Sequence, residues 1–186
     1  VQSTNALDAD LVLFTGDLVN YSLDDLPAGI ELLKGLRARH GVYAVEGNHD
    51  LMMDPSRFRR TTSAAVPLLV NESICVERNQ QRIELLGLGW GADLKALLQR
   101  EPTPNAFRIL LAHHPHAFDH ADGIPLTLSG HTHGGQLMLS EQLGVGPVMF
   151  RYWSGLYQKN DRSLVVSNGV GNWFPLRTLS LIHISE

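Results

Sequence analysis

Four clusters of residues with chemical potential stand out: Gly16-Asp17, Gly47-Asn48-His49-Asp50, His113-His114 and Gly130-His131-Thr132-His133. Each follows a short apolar run, respectively Leu11-Val12-Leu13-Phe14, Val42-Tyr43-Ala44-Val45, Ile109-Leu110-Leu111-Ala112 and Leu126-Thr127-Leu128. Such runs predict buried strands. Ligands of open α/β folds bind outside the carboxyl ends of the strands, so the four clusters are expected to converge on one edge. Together they offer carboxylate, amide oxygen and imidazole, a divalent-metal set suited to zinc, manganese or iron. The chain has nine histidines in 186 residues, and six lie between His113 and His133.

Singly, the clusters differ in specificity. Gly16-Asp17 after a strand also fits a turn closed by an Asx hydrogen bond. His113-His114 also fits a core histidine beside a surface one. In Gly130-His131-Thr132-His133-Gly134-Gly135, alternate residues of an extended segment point the same way, so both imidazoles can reach one site. The glycines there allow close backbone approach. Gly47-Asn48-His49-Asp50 is the most specific of the four, because little besides a site of this kind accounts for it on a strand-to-helix turn.

The elements that must position these clusters are legible in outline. Leu26, Ile30, Leu33 and Leu36 recur at helical spacing, with Glu31, Lys34, Arg37 and Arg39 opposite. Gly41 is expected to end that helix. Two strands around one helix form a βαβ unit, which implies a parallel sheet. Further short strands are expected at Pro67 to Val70, Ile74 to Glu77, Arg82 to Leu88 and Leu164 to Val166, with a turn at Asn79-Gln80. Asp93 to Gln99 reads as a helix with Asp93 at its start. Leu139 to Gln158 reads as loops or edge strands.

With these motifs in order, the chain resembles the calcineurin-like metallophosphoesterases. That family's pattern is Asp-x-His, Gly-Asp, Gly-Asn-His-Asp or -Glu, His, and Gly-His-x-His, of which this chain carries the last four. Leu111-Ala112-His113-His114-Pro115, Gly134-Gly135-Gln136 and Gly169-x-Gly171 before Pro175-Leu176-Arg177 are similar to a bacterial subgroup of small phosphodiesterases. The resemblance implies a sheet-centred α/β fold, an αββα-type layered sandwich, in a single domain spanning residues 1–178. It implies hydrolysis of phosphate esters, diesters above all, at a dinuclear centre of two divalent ions (Mn, Zn or Fe). Asp17 would bridge the ions, Asn48, His113 and His131 would complete the second, and His133 would belong to the first. His49 would contact the phosphate and assist the leaving group, and Asp50 would orient it. His114 and His116 receive no role. Two metals about 3.5–4 Å apart can clamp a phosphate and lower the pKa of a bound water to about 7, giving a hydroxide nucleophile.

One motif is absent. Residues 1 to 16 contain Asp8 and Asp10 but no histidine, so Asp-x-His does not precede Gly16-Asp17. The expectation is an N-terminal truncation that impairs the enzyme and leaves it marginally stable. The alternatives are a divergent member and a non-catalytic binding remnant that has lost its first metal site. Metallo-β-lactamase-like sites would continue His-x-His into an Asp, where this chain has Gly134-Gly135-Gln136. Amidohydrolase barrels place His-x-His early in the chain. Residues 179–186 resemble translated sequencing-adapter DNA and read as a non-native tail, with a short strand as the other reading.

Composition narrows the partners. A formal net charge of -4 with 18% charged residues gives no broad signal for nucleic acid or anionic membrane. Nucleotides, glycerophosphodiesters and lipid-linked sugar diphosphates all remain open as phosphoester substrates. Arg57, Arg59 and Arg60 read as a solvated face that could otherwise meet phosphate. The lone cysteine, Cys75, excludes an internal disulfide framework and reads as a small buried hydrophobe. No leader or membrane-spanning segment is visible in the sequence, which opens at Val1.

Overall fold

A computed structural model describes residues 1–135, 138–140, 143–144 and 150–169. Gln136, the segment from Gly171 to Arg177 and the tail 179–186 lie outside the described residues.

Helix α1 (Gln2–Ala6) leads into strand β1 (Val12–Phe14), helix α2 (Leu26–Gly35) and strand β2 (Val42–Ala44). β1 and β2 pair in parallel, Val12 opposite Val42 through Phe14 opposite Ala44, as the βαβ reading requires. α2 ends at Gly35, not near Gly41. The Asn5 side-chain amide donates to the Gly35 carbonyl at 2.8 Å while its oxygen accepts from the Arg37 amide, so a side chain from α1 stops the helix. Gly41, at φ +110, instead turns the chain into β2.

Helix α3 (Pro55–Ser63) starts on Asp54, whose carboxylate accepts from the Arg57 amide. A six-stranded sheet follows, built from β3 (Glu72–Arg78), β4 (Gln81–Leu88), β5 (Ala106–Ala112) and β6 (Leu126–Ser129). Beyond β7 (Met138–Ser140) and β8 (Leu143–Gly144), which pair separately, it is completed by β9 (Gly155–Lys159) and β10 (Arg162–Val166). Its order is β3-β4-β5-β6-β10-β9. β4, β5, β6 and β10 run parallel, and the edge strands β3 and β9 are antiparallel. Asn79 and Gln80 both adopt positive φ, the mirror-image turn that matches strand twist in a tight hairpin. Helix α4 (Leu94–Leu98) is capped by Asp93, which accepts from the Lys95 amide.

The layers follow from alternation along the strands. Leu13 and Tyr43 of β1 and β2 join Val45, Leu69, Leu85, Ile109 and Leu111 in a core between the two sheets. Phe14, Val42 and Ala44, on the opposite faces, pack with Ile30, Leu33 and Phe58 of α2 and α3. On the far side, Leu86 and Leu110 meet Leu94 and Leu97 of α4. Helices, two sheets and helices in that order form the expected αββα sandwich. Leu85, Leu110 and Leu111 are fully buried, where truncation to alanine typically costs about 2–5 kcal/mol.

Two further expectations change. Pro67 to Val70 is not a strand: it contributes a single bridge, Leu68 to Ala44. Cys75 is exposed, because edge strand β3 turns Ile74 and Val76 toward the core and the residue between them outward.

Candidate metal centre

Asp50 organises the site from beneath. It is fully buried, and its Oδ1 accepts from the amides of Leu18 (2.8 Å) and Val19 (3.1 Å) while Oδ2 accepts from Asp17 (2.9 Å) and Gly47 (2.8 Å). One carboxylate thereby ties the loop after β1 to the loop after β2. Burial pushes its carboxyl up to about 6, against the pull of those amides, so it is ionised at neutral pH. Asp50 therefore does not orient His49 as expected from the sequence. The His49 ring meets the Asn20 carbonyl, 2.6 Å from Nδ1, and the edge of Tyr21 at 5.6 Å. A carbonyl can only accept, so Nδ1 carries the proton.

The amides gathered by Asp50 hold Asp17 in the left-handed region, at φ +58. Such strain at a non-glycine residue persists only where surroundings over-determine it and often marks function. The neighbouring glycines allow it. A Cβ on Gly47 would overlap the Asp17 side chain and lie 2.6 Å from its amide nitrogen. A Cβ on Gly16 (φ +96) would lie 2.6 Å from His113 Nδ1.

Asp17 Oδ1 accepts from the His49 amide at 3.0 Å, and Oδ2 lies 3.0 Å from His113 Nε2. His113, buried at the end of β5, donates from Nδ1 to the Thr15 carbonyl at 2.6 Å. That bond leaves the Nε2 lone pair facing inward, toward Asp17 Oδ2 and, at 3.3 Å, His131 Nδ1. His131 Nδ1 also lies 2.9 Å from Asn48 Oδ1. Carboxylate, amide oxygen and imidazole nitrogens thus crowd one point, an arrangement that calls for a proton or a cation between them. Ligand atoms of Asp17, His113 and His131 all lie within 4.8 Å of one another. A histidine whose far nitrogen donates to a backbone carbonyl is the usual outer support of a metal ligand. The donor set therefore fits a divalent ion.

The electrostatics agree. Burial raises the Asp17 carboxyl, but the His113 hydrogen bond and charge, with the His49 amide, outweigh it and hold Asp17 below the usual carboxylate value. Burial, then the charges of His113 and His114, press His131 down to about 4. Its ring is neutral at neutral pH and has a lone pair to offer.

His131 (φ +71) and His133 (φ +47) also adopt left-handed backbone. His133 is outside the Asp17, His113 and His131 group; its Nδ1 is 3.7 Å from where a Cβ on Gly169 would sit. The two histidines are not alternate residues of an extended segment pointing the same way, because His133 opens a 3-10 turn, His133–Gly135. His114 lies beside the ligand group without joining it: its ring is 4.8 Å from those of both His116 and His131, and its Nδ1 accepts from the His116 amide.

Sequence reading missed Glu46, Trp90, Thr15 and Asn20. Glu46 is fully buried and receives two bonds of 2.7 Å from Arg59, so Arg59, exposed like Arg57 and Arg60, is in addition a partner of the site loop. Glu46 also accepts from the Trp90 amide at 3.3 Å. The Trp90 ring lies 5.3–5.7 Å from those of His131 and His113. Thr15 and Asn20 act through backbone carbonyls, which leave no residue-type signal.

Comparison with known proteins settles the class. Residues 2–135 match the model of the calcineurin-like phosphoesterase family, and the chain belongs to that family. It is 31% identical over 207 residues to a transmembrane protein with metallophosphoesterase domain from Danio rerio, covering 100% of this chain and 47% of that one. An uncharacterized metallophosphoesterase of Helicobacter pylori is 32% identical over 198 residues, 97% of this chain and 51% of the relative. The phosphodiesterase YaeI of Escherichia coli is 30% identical over 181 residues, 90% of this chain and 66% of that protein. The chain spans about half the length of the first two. The sulfate thiohydrolase SoxB of Thermus thermophilus shares the fold, with a TM-score of 0.53 at 16% identity over 84% of this chain and 33% of SoxB. Among the described residues, no helix is long and apolar enough to cross a membrane.

Proposed function

We propose that this chain is the catalytic domain of a metal-dependent phosphodiesterase working with two divalent ions of the Mn, Zn or Fe type. The carrying observation is the convergence of Asp17, Asn48, His113 and His131, with His113 Nε2 and His131 Nδ1 turned inward. When bound, the ions supply Lewis acidity to the phosphate and activate water for attack. Asn48, His113 and His131 would hold one ion and His133 the other, with Asp17 offering its carboxylate to both. Family membership and the likeness to YaeI support this reading.

His49 is the general acid. With Nδ1–H committed to the Asn20 carbonyl, the acid form is the imidazolium: Nε2 meets the phosphate and passes its proton to the leaving oxygen, which leaves the neutral Nδ1–H ring. Its backbone amide holds Asp17 Oδ1, so acid and carboxylate keep a fixed separation.

With added manganese, the protein is expected to hydrolyse bis(p-nitrophenyl) phosphate. His49→Ala should lower turnover by about 10²–10⁴-fold while bound manganese stays within twofold of wild type. Asn48→Ala should lower manganese content itself. Equal loss of metal in both variants would contradict the assigned roles, and full metal binding without any turnover would favour the binding-remnant reading.

A further inference from the structure

Beside the metal centre lies a cavity of about 490 Å³. His113, of the cluster, is one of its walls, so the cavity adjoins the cluster. Leu88, Leu94, Ala112 and Ala117 supply apolar lining, and Trp90 and His114 supply ring faces. The catalytic roles of Asp17, Asn48, His49, His113, His131 and His133 leave this space unused.

Trp90 is held where it can act. Its amide is bonded to Glu46, which is itself buried and clamped by Arg59. Its ring lines the cavity and lies 5.3 Å from the His131 ring, 5.7 Å from His113 and 5.9 Å from His114. It is 36% exposed. A phosphate at the cluster would direct one ester substituent into this space. Ring faces favour a flat, polarisable group, because stacking needs two planes. An alkyl chain would cover the imidazole nitrogens in the lining without giving them hydrogen-bond partners.

The geometry points to Trp90 as a specificity residue: the cavity receives a planar ring, nucleobase or aryl, carried by the phosphoester and stacked on the indole. This rests on the phosphoesterase reading of the adjoining cluster.

The test is calorimetric titration of the full chain, chelated and manganese-loaded, with AMP, phenyl phosphate, ribose 5-phosphate and adenosine. AMP, phenyl phosphate or both should bind about tenfold more tightly than ribose 5-phosphate, and which of them does identifies nucleobase or simple aryl. Trp90→Leu, which keeps bulk without a ring, should erase that advantage and leave ribose 5-phosphate unchanged, whereas Trp90→Phe should retain most of it. Adenosine has no phosphate and should bind the chelated protein in a Trp90-dependent manner, so the cavity is read independently of the metal. The dependence of ribose 5-phosphate on manganese reports separately on the metal centre. Equal affinity for AMP, phenyl phosphate and ribose 5-phosphate would overturn the assignment. So would a Trp90→Leu loss of the same size for all ligands, which would mark Trp90 as merely structural.

Discussion

Asp50→Ala is expected to destabilise the metal-free protein by about 3–5 kcal/mol, the usual penalty for removing one side of a buried charged network. The four amides of Asp17, Leu18, Val19 and Gly47 would lose their acceptor, and each orphaned buried donor costs about 1–3 kcal/mol before relaxation. Domain margins are about 5–15 kcal/mol, so the effect is a large fraction of the whole. Asp50→Asn should be nearly as damaging, since its NH₂ would confront amide donors. There is also a pH signature. The folded value of about 6 lies above the ordinary 3.8, so between pH 3.8 and 6 the folded chain binds the extra proton. The Asp50 contribution to stability therefore diminishes as pH rises through that window, and the variants should lack this component. Urea unfolding at pH 4.5 and 7 measures both effects, and a loss under about 1 kcal/mol would contradict the four-bond assignment.

Gly47→Ala is the second large effect, and it is steric. Its new Cβ would collide with the Asp17 carboxylate and come within 2.6 Å of the Asp17 amide. Backbone cannot swing aside as a flexible side chain can, so Asp17 must leave its place. Overpacking of this kind costs about 1–3 kcal/mol, and displacing a ligand's support typically weakens metal affinity about 10–100-fold. Gly123→Ala is the control, because Gly123 has φ +75 but nothing within 4 Å of its Cβ direction. It should cost only about 1–2 kcal/mol of backbone strain and leave manganese binding intact. Equal manganese affinity in the two variants would show that close packing of Gly47 on Asp17 does not shape the site.

The sequence exposed what is local. Apolar runs ending in polar bursts located the strands of the βαβ unit and of β5 and β6, and Asp17, Asn48, His113 and His131 do meet at their ends. The αββα layering follows from the same alternation. What stayed hidden depends on distant partners. Asp50 reads locally as a neighbour of His49, yet its bonds reach back 31–33 residues to Asp17, Leu18 and Val19. Arg59 sits among other arginines on a helix, and only the fold sets it against buried Glu46. Trp90 lies between glycines in a loop whose path is fixed by Glu46, 44 residues away. The helical pattern of α2 points on to Gly41, and the earlier stop at Gly35 is invisible locally because it comes from Asn5 on another element.

The central claim is that Asp17, Asn48, His113 and His131 hold a divalent ion, and equilibrium dialysis against manganese after chelator stripping addresses it most directly. Wild type, Asp17→Asn and His113→Ala would be compared, with folding checked by circular dichroism. Asp17→Asn removes the charge while keeping the shape, and His113→Ala removes an inward-facing nitrogen. Wild type is expected to retain manganese, and both variants are expected to lose affinity by about 100-fold, since a ligand should cost at least as much as its outer support. Folded variants that bind as much manganese as wild type, at the same affinity, would contradict the metal centre.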